Sequence, residues 1–98
     1  MRLNKSEVEA IKETYANIFP DGLVYLFGSR VDDHKKGGDI DLYLVPDQAL
    51  TVSEAYEKKS QFRLELKDKI GEQKIDIIIA KDKTRSIEKE ALNTGVLL

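Results

Sequence analysis

Asp39 and Asp41 stand two positions apart at the mouth of the apolar run Ile40 to Val45, and that spacing is the chain's first sign of chemistry. Side chains two apart on a strand share a face, roughly 6.5–7 Å apart. Ile40, Leu42 and Leu44 then take the opposite face and pack on a core, while the two carboxylates face outward at the strand's start. At an effective dielectric of about 20, two like charges 4 Å apart cost on the order of 4 kcal/mol, so such a pair calls for a proton or a cation. A divalent metal is the natural partner.

A third acid, Asp76, lies inside Lys74 to Ala80, with Ile75, Ile77 and Ile79 on one face and Asp76 on the other. About thirty residues of helical character separate the two runs, the length of a crossover between parallel neighbours. Parallel strands start side by side, so Asp76 is expected beside Asp39 and Asp41. A strand Leu23–Phe27, antiparallel to the Asp39 strand, ends where that strand begins and brings Gly28-Ser29 to the same edge. Glycine permits a tight exit, and the serine hydroxyl and nearby amides suit phosphate oxygens.

The elements that must hold these groups follow from periodicity and punctuation. Residues 6–19 read as a helix, with Ser6 as cap, Glu9 three later, and Val8, Ile11, Tyr15 and Ile18 on one stripe. Pro20-Asp21-Gly22 turns the chain, and Pro46-Asp47 breaks it after the second strand. A second helix runs from Thr51, with Glu54 three later, to Ile70 before Gly71, and lays Phe62, Leu66 and Ile70 on the sheet. Thr84 or Ser86 caps a last helix that turns Ile87 and Ala91 inward and ends near Gly95. The apolar tail Val96-Leu97-Leu98 either finishes the core or contacts another chain. The fold class is α/β (α+β), a small mixed sheet with a three-stranded core flanked by helices.

Ninety-eight residues suit one domain spanning 1–98, large enough for a single core and small for an enzyme. A charged fraction of 35% and a net charge of -2 lack the basic excess of a stand-alone nucleic-acid binder, so nucleic acid is not the expected partner. With no cysteine there is no disulfide framework, zinc-thiolate site or thiol nucleophile. No apolar stretch approaches the ~18 residues of a membrane span, and the start lacks a signal-peptide pattern; a cytoplasmic location is the expectation.

Gly28-Ser29, nine residues, Asp39-Ile40-Asp41-Leu42 and the distant strand acid Asp76 together resemble the signature of the DNA polymerase beta superfamily of nucleotidyltransferases. More narrowly the chain resembles the minimal nucleotidyltransferases, down to the closing segment from Glu90 to Leu98. The resemblance implies that superfamily's fold and two-magnesium transfer of a nucleoside monophosphate from ATP or another nucleoside triphosphate to a hydroxyl. In that scheme Asp39 and Asp41 ligate both ions, Asp76 completes the one nearer the acceptor, and Gly28, Ser29 and Arg30 bind the nucleotide. Two ions about 3.5–4 Å apart stabilise attacking and leaving oxygens together. The resemblance further implies an antitoxin that transfers AMP to a tyrosine hydroxyl of a small helical HEPN partner, with a homo- or hetero-oligomer allowed. The competing reading is a catalytically silent module that neutralises such a partner by contact alone. Many minimal members carry a second arginine two residues after the first; here Val31 and Asp32 follow Arg30, which leaves its phosphate contacts to Arg30, Lys35 or Lys36.

Blander readings stand beside these. Asp39 and Asp41 also suit a solvated hairpin mouth, Asp76 an ion pair near Lys74, and Gly28-Ser29 an ordinary turn. His34 reads best as an exposed loop residue. Tyr43 suits either stacking on a base or packing. Lys58, Lys59, Arg63 and Lys67 form a basic helix face, read as solvated surface rather than a docking site.

Overall fold

The computed structural model describes residues 1–32, 34 and 38–98; Lys35 and Lys36, which read equally as solvated loop or as phosphate contacts, lie outside the described residues. Helix α1 (Lys5–Ile18) opens on a reciprocal cap in which Glu7 N–H donates to Asn4 Oδ1 (2.8 Å) and Asn4 N–H to Glu7 Oε1 (3.1 Å). The cap therefore falls on Asn4, not on Ser6 as expected, and Ser6 Oγ donates to Asn4 Oδ1 (2.9 Å). Asparagine and serine cap equally well, and each has a glutamate three positions on, Glu7 and Glu9, so the capping-box pattern suits both. Ala10, Ile11, Thr14, Tyr15 and Ile18 form the buried stripe.

At the following turn Gly22 has φ +122°, and a Cβ there would run into Tyr15 Oη and the Val45 carbonyl. Strand β1 (Leu23–Phe27) pairs antiparallel with β2 (Ile40–Val45), Leu23 opposite Val45 and Phe27 opposite Asp41. Helix α2 (Val52–Ile70) carries the expected Thr51–Glu54 capping box and ends at Gly71, whose φ is +90°. Strand β3 (Ile75–Ile79) then lies parallel to β2. Helix α3 (Ser86–Thr94) follows, and β4 (Val96–Leu97) closes the chain antiparallel to β1. The sheet order is β3-β2-β1-β4.

Among the described residues the three expected core strands are joined by a fourth, β4, at the sheet edge. Leu97 and Val96 pair with Tyr25 and Leu26, and Leu98 N–H donates to the Val24 carbonyl (2.9 Å). The tail finishes the sheet edge, while the Leu97 side chain stays half exposed at 53%. Nor does Thr84 or Ser86 cap α3: Arg85 sits at that position without a side-chain capping bond, and Thr84 Oγ1 and N–H both donate to Asp82 Oδ1 (2.6 and 2.9 Å).

Helices α1 and α2 cover one face of the sheet, where Ile11, Leu26, Ile40, Leu42, Leu44, Phe62, Leu66 and Ile77 make a continuous buried cluster. Helix α3 covers the other, with Ala91 on Phe27 and Tyr43. Tyr43 is wholly buried there, which gives it a packing role. Lys58, Lys59, Arg63 and Lys67 of α2 are half-buried rather than outermost. Lys58 spans the Phe19 ring and donates to the Ile18 carbonyl (3.0 Å), and Arg63 reaches the Ile75 carbonyl (3.4 Å). Long cationic side chains shield apolar surface with their stems. Val52, Tyr56 and Leu64 face solvent in their stead. Among the described residues no helix is long and apolar enough to cross a membrane.

Candidate functional site at the start of the parallel strands

Parallel pairing of β2 with β3 sets Asp41 level with Asp76, and antiparallel pairing of β1 with β2 sets Asp41 level with Phe27. The chain leaves β1 at Gly28 with φ +78° and enters a short 3-10 turn, Gly28–Val31. A Cβ on Gly28 would collide with Asp41 Oδ2, so glycine is what lets the loop close on that carboxylate. Sheet register and one absent side chain together bring the loop, Asp41 and Asp76 to a common edge.

The electrostatics of that edge are those of crowded anions. Partial burial raises the Asp41 pKa above the usual aspartate value, and the charges of Asp76 and Asp39, a hydrogen bond with Asp76 and the charge of Glu90 push it the same way. Asp39, half exposed, stands 3.4 Å from Lys74 Nζ through its Oδ2. Among the described residues no three acidic or histidine side chains are drawn tightly enough around one point to hold a metal ion. Asp41 and Asp76 are in contact, and Asp39 adds its charge to them while its Oδ2 meets lysine.

Sequence reasoning singled out Arg30 but not what surrounds it. Its Nη1 donates to the Arg2 carbonyl (3.0 Å), and its Nη2 to the Gly38 carbonyl (2.9 Å) and Gln73 Oε1 (3.2 Å). Arg2 answers with its Nη2 to the Ser29 carbonyl (3.0 Å), its Nε to the Asp32 carbonyl (3.3 Å) and its N–H to the Arg30 carbonyl (2.7 Å). No periodicity or motif marks Arg2 or Gln73. Glu88 was legible in principle, being three positions before Ala91 on the inward side of α3; it is fully buried. Glu90, which no spacing links to the strand acids, adds its charge at Asp41.

Fold and site define a class: a mixed α/β domain with clustered carboxylates at the start of two parallel strands, faced by a glycine-serine loop. The profile described as polymerase beta, nucleotidyltransferase, matches residues 9–98, and the chain belongs to that family. Among solved structures, the chain is similar to one of the toxin–antitoxin MntA–HpeT in a form with two aspartate-to-glutamate substitutions. The TM-score is 0.67 at 18% identity, over 97% of this chain and 71% of that one. It is also similar to a protein of Sulfolobus solfataricus assigned as a nucleotidyltransferase, with TM-score 0.57 and 26% identity over 99% of this chain and 89% of that one. A search of the curated proteins finds no match.

Proposed function

We propose that this chain is a magnesium-dependent nucleotidyltransferase that moves AMP from ATP to a hydroxyl of a partner protein, as the antitoxin of a pair with a helical HEPN-type toxin. One observation carries the reading: Asp41 stands level with Asp76 across parallel strands while the loop closes on its carboxylate through a glycine. A binding surface has no need of that crowding.

The donor set fits magnesium. Asp39, Asp41 and Asp76 offer only carboxylate oxygens, the preferred ligands of a small hard cation, and burial together with the charges of Asp76 and Asp39 raises the Asp41 pKa. When bound, two such ions supply Lewis-acid stabilisation of the attacking and departing oxygens. Ser29 and the Gly28 backbone hold the β- and γ-phosphates, and Arg30 sets the loop from behind. The acceptor hydroxyl attacks the α-phosphorus; its P–O bond forms as the α–β P–O bond breaks, pyrophosphate departs, and the hydroxyl proton passes to Asp76 and then to solvent. The partner link rests on the fold shared with MntA of the MntA–HpeT complex.

The second reading, a silent module, draws on the Asp39–Lys74 contact, which supplies one carboxylate with an internal counter-ion. Purified chain, magnesium, ATP labelled at the α-phosphate and a HEPN-type partner separate the two. Label on the partner, lost with an Asp39→Asn, Asp41→Asn double variant, supports the transferase. An unlabelled partner still inhibited by that double variant overturns it in favour of the module.

A further inference from the structure

We propose that Arg30 is a positioning residue, the hub of a clasp that holds the glycine-serine loop in register with the starts of both acid-bearing strands, and that it does not touch the nucleotide. Three stretches of chain meet at its guanidinium. The Arg2 carbonyl belongs to the segment before α1, the Gly38 carbonyl immediately precedes Asp39, and Gln73 stands three positions before Asp76. Gln73 extends the clasp: its Nε2 donates to Glu7 Oε2 (3.1 Å) and the Ile70 carbonyl (3.2 Å), joining the α1 cap to the end of α2. Between the two points that Arg30 grips lies the first rung of the parallel ladder, Ile40 N–H to the Lys74 carbonyl (3.0 Å). Arg2 closes the circuit through the Ser29, Arg30 and Asp32 carbonyls.

Geometry separates this role from a phosphate contact. The acceptors that Nη1 and Nη2 take are two carbonyls and a carboxamide, all neutral, and Nε is buried with no hydrogen-bond partner among the described residues. A planar fork can satisfy acceptors in three directions at once; a lysine ammonium at the end of a flexible stem cannot keep that geometry. Charge is what a phosphate contact would need. Fork shape is what a clasp needs.

The nucleotide arm of the test rests on the function proposed above; the exchange arm does not. Arg30→Gln, Arg30→Lys, Gln73→Ala and the Arg30→Gln, Gln73→Ala double variant are titrated with MgATP and assayed for label transfer. A clasp predicts about tenfold weaker MgATP binding for Arg30→Gln, Arg30→Lys and Gln73→Ala alike, with the double variant scarcely worse than either parent because one unit is broken twice. Turnover at saturating ATP stays within about twofold, since what is lost is loop placement for the ground state. Rescue by Arg30→Lys together with wild-type binding by Gln73→Ala overturns the proposal and makes Arg30 a direct phosphate ligand. Amide exchange of the nucleotide-free protein decides independently. Asp32 and Ile40 amides exchange about tenfold faster in Arg30→Gln and Gln73→Ala if the clasp holds the register, and at the wild-type rate if it does not. Should Arg30→Gln fail to fold, Gln73→Ala carries both arms. Should wild-type protein bind no MgATP, the function proposed above fails, and exchange still tests the clasp.

Discussion

Two carboxylates two residues' reach apart on the α3 side of the sheet meet opposite fates. Glu88, from α3, is fully buried, yet its pKa lies below the usual glutamate value. Burial alone would raise it, but Tyr43 Oη donates at 2.6 Å, the Asp82 and Lys81 amides at 2.8 and 3.1 Å, and Arg85 Nη1 at 3.3 Å, and these more than offset the burial. Asp41, two positions before Tyr43 on β2, is more open, yet partial burial raises its pKa above the usual aspartate value and its neighbours, being anions rather than donors, push it further the same way. A carboxylate met by donors holds a fold together. One met by further carboxylates is a place where a cation belongs.

The largest expected effect breaks the Asp41 half of this contrast. Asp41→Asn lowers label transfer by about 10³-fold, roughly 4 kcal/mol of transition-state stabilisation. The same change stabilises the metal-free fold, because a group whose folded pKa is raised weakens folding as pH climbs through that pKa, and the amide removes the charge. A melting-point rise of about 2–5 °C at neutral pH is the expected reading, scaled down for solvent screening. An activity loss accompanied by a lower melting point would make Asp41 a structural acid like Glu88.

Glu88→Ala inverts the pattern. It strips the acceptor from the Tyr43 hydroxyl and two backbone amides and leaves Arg85 without its partner, at a cost of about 3 kcal/mol in urea unfolding. MgATP affinity of the folded fraction stays within about twofold. The pH dependence follows the depressed pKa. Stability from Glu88 is complete above the ordinary glutamate value of about 4.3 and is lost as pH falls below it through the folded value. Melting points taken down the acid limb therefore drop for the wild type and flatten for the variant.

What the sequence disclosed divides along similar lines. Asp39, Asp41 and Asp76 stood out because a two-residue alternation puts acids on the face opposite Ile40, Leu42, Leu44, Ile75 and Ile77, and that period is visible without coordinates. The Thr51–Glu54 box and Gly71 were legible because caps are local. The cap at Asn4 in place of Ser6 was not legible, since both types cap and each has a glutamate three positions on. Strand β4 escaped because two residues show no period, and their pairing with Tyr25 and Leu26 is a long-range event. Arg2, Gln73 and the Tyr43–Glu88 bond escaped for the same reason. Their distant partners lie 27 to 66 positions away, where spacing along the chain carries no signal.

The smallest effect sharpens the contrast from the lysine side. Lys74 Nζ lies 3.4 Å from Asp39 Oδ2 with its side chain 71% exposed, so the contact is a screened surface pair. Such pairs contribute about 0.2–1 kcal/mol, and a metal drawn to Asp39 must displace or share this one. Lys74→Ala is therefore expected to tighten magnesium binding by about two- to fivefold at low ionic strength. The gain shrinks toward unity as salt approaches 1 M, where the screening length falls to about 3 Å. Competition by Lys74 for Asp39 predicts that salt dependence in titrations without nucleotide. If Lys74 instead serves the triphosphate, the same variant leaves magnesium affinity alone and weakens ATP, and the pair of titrations tells an internal counter-ion from a substrate contact.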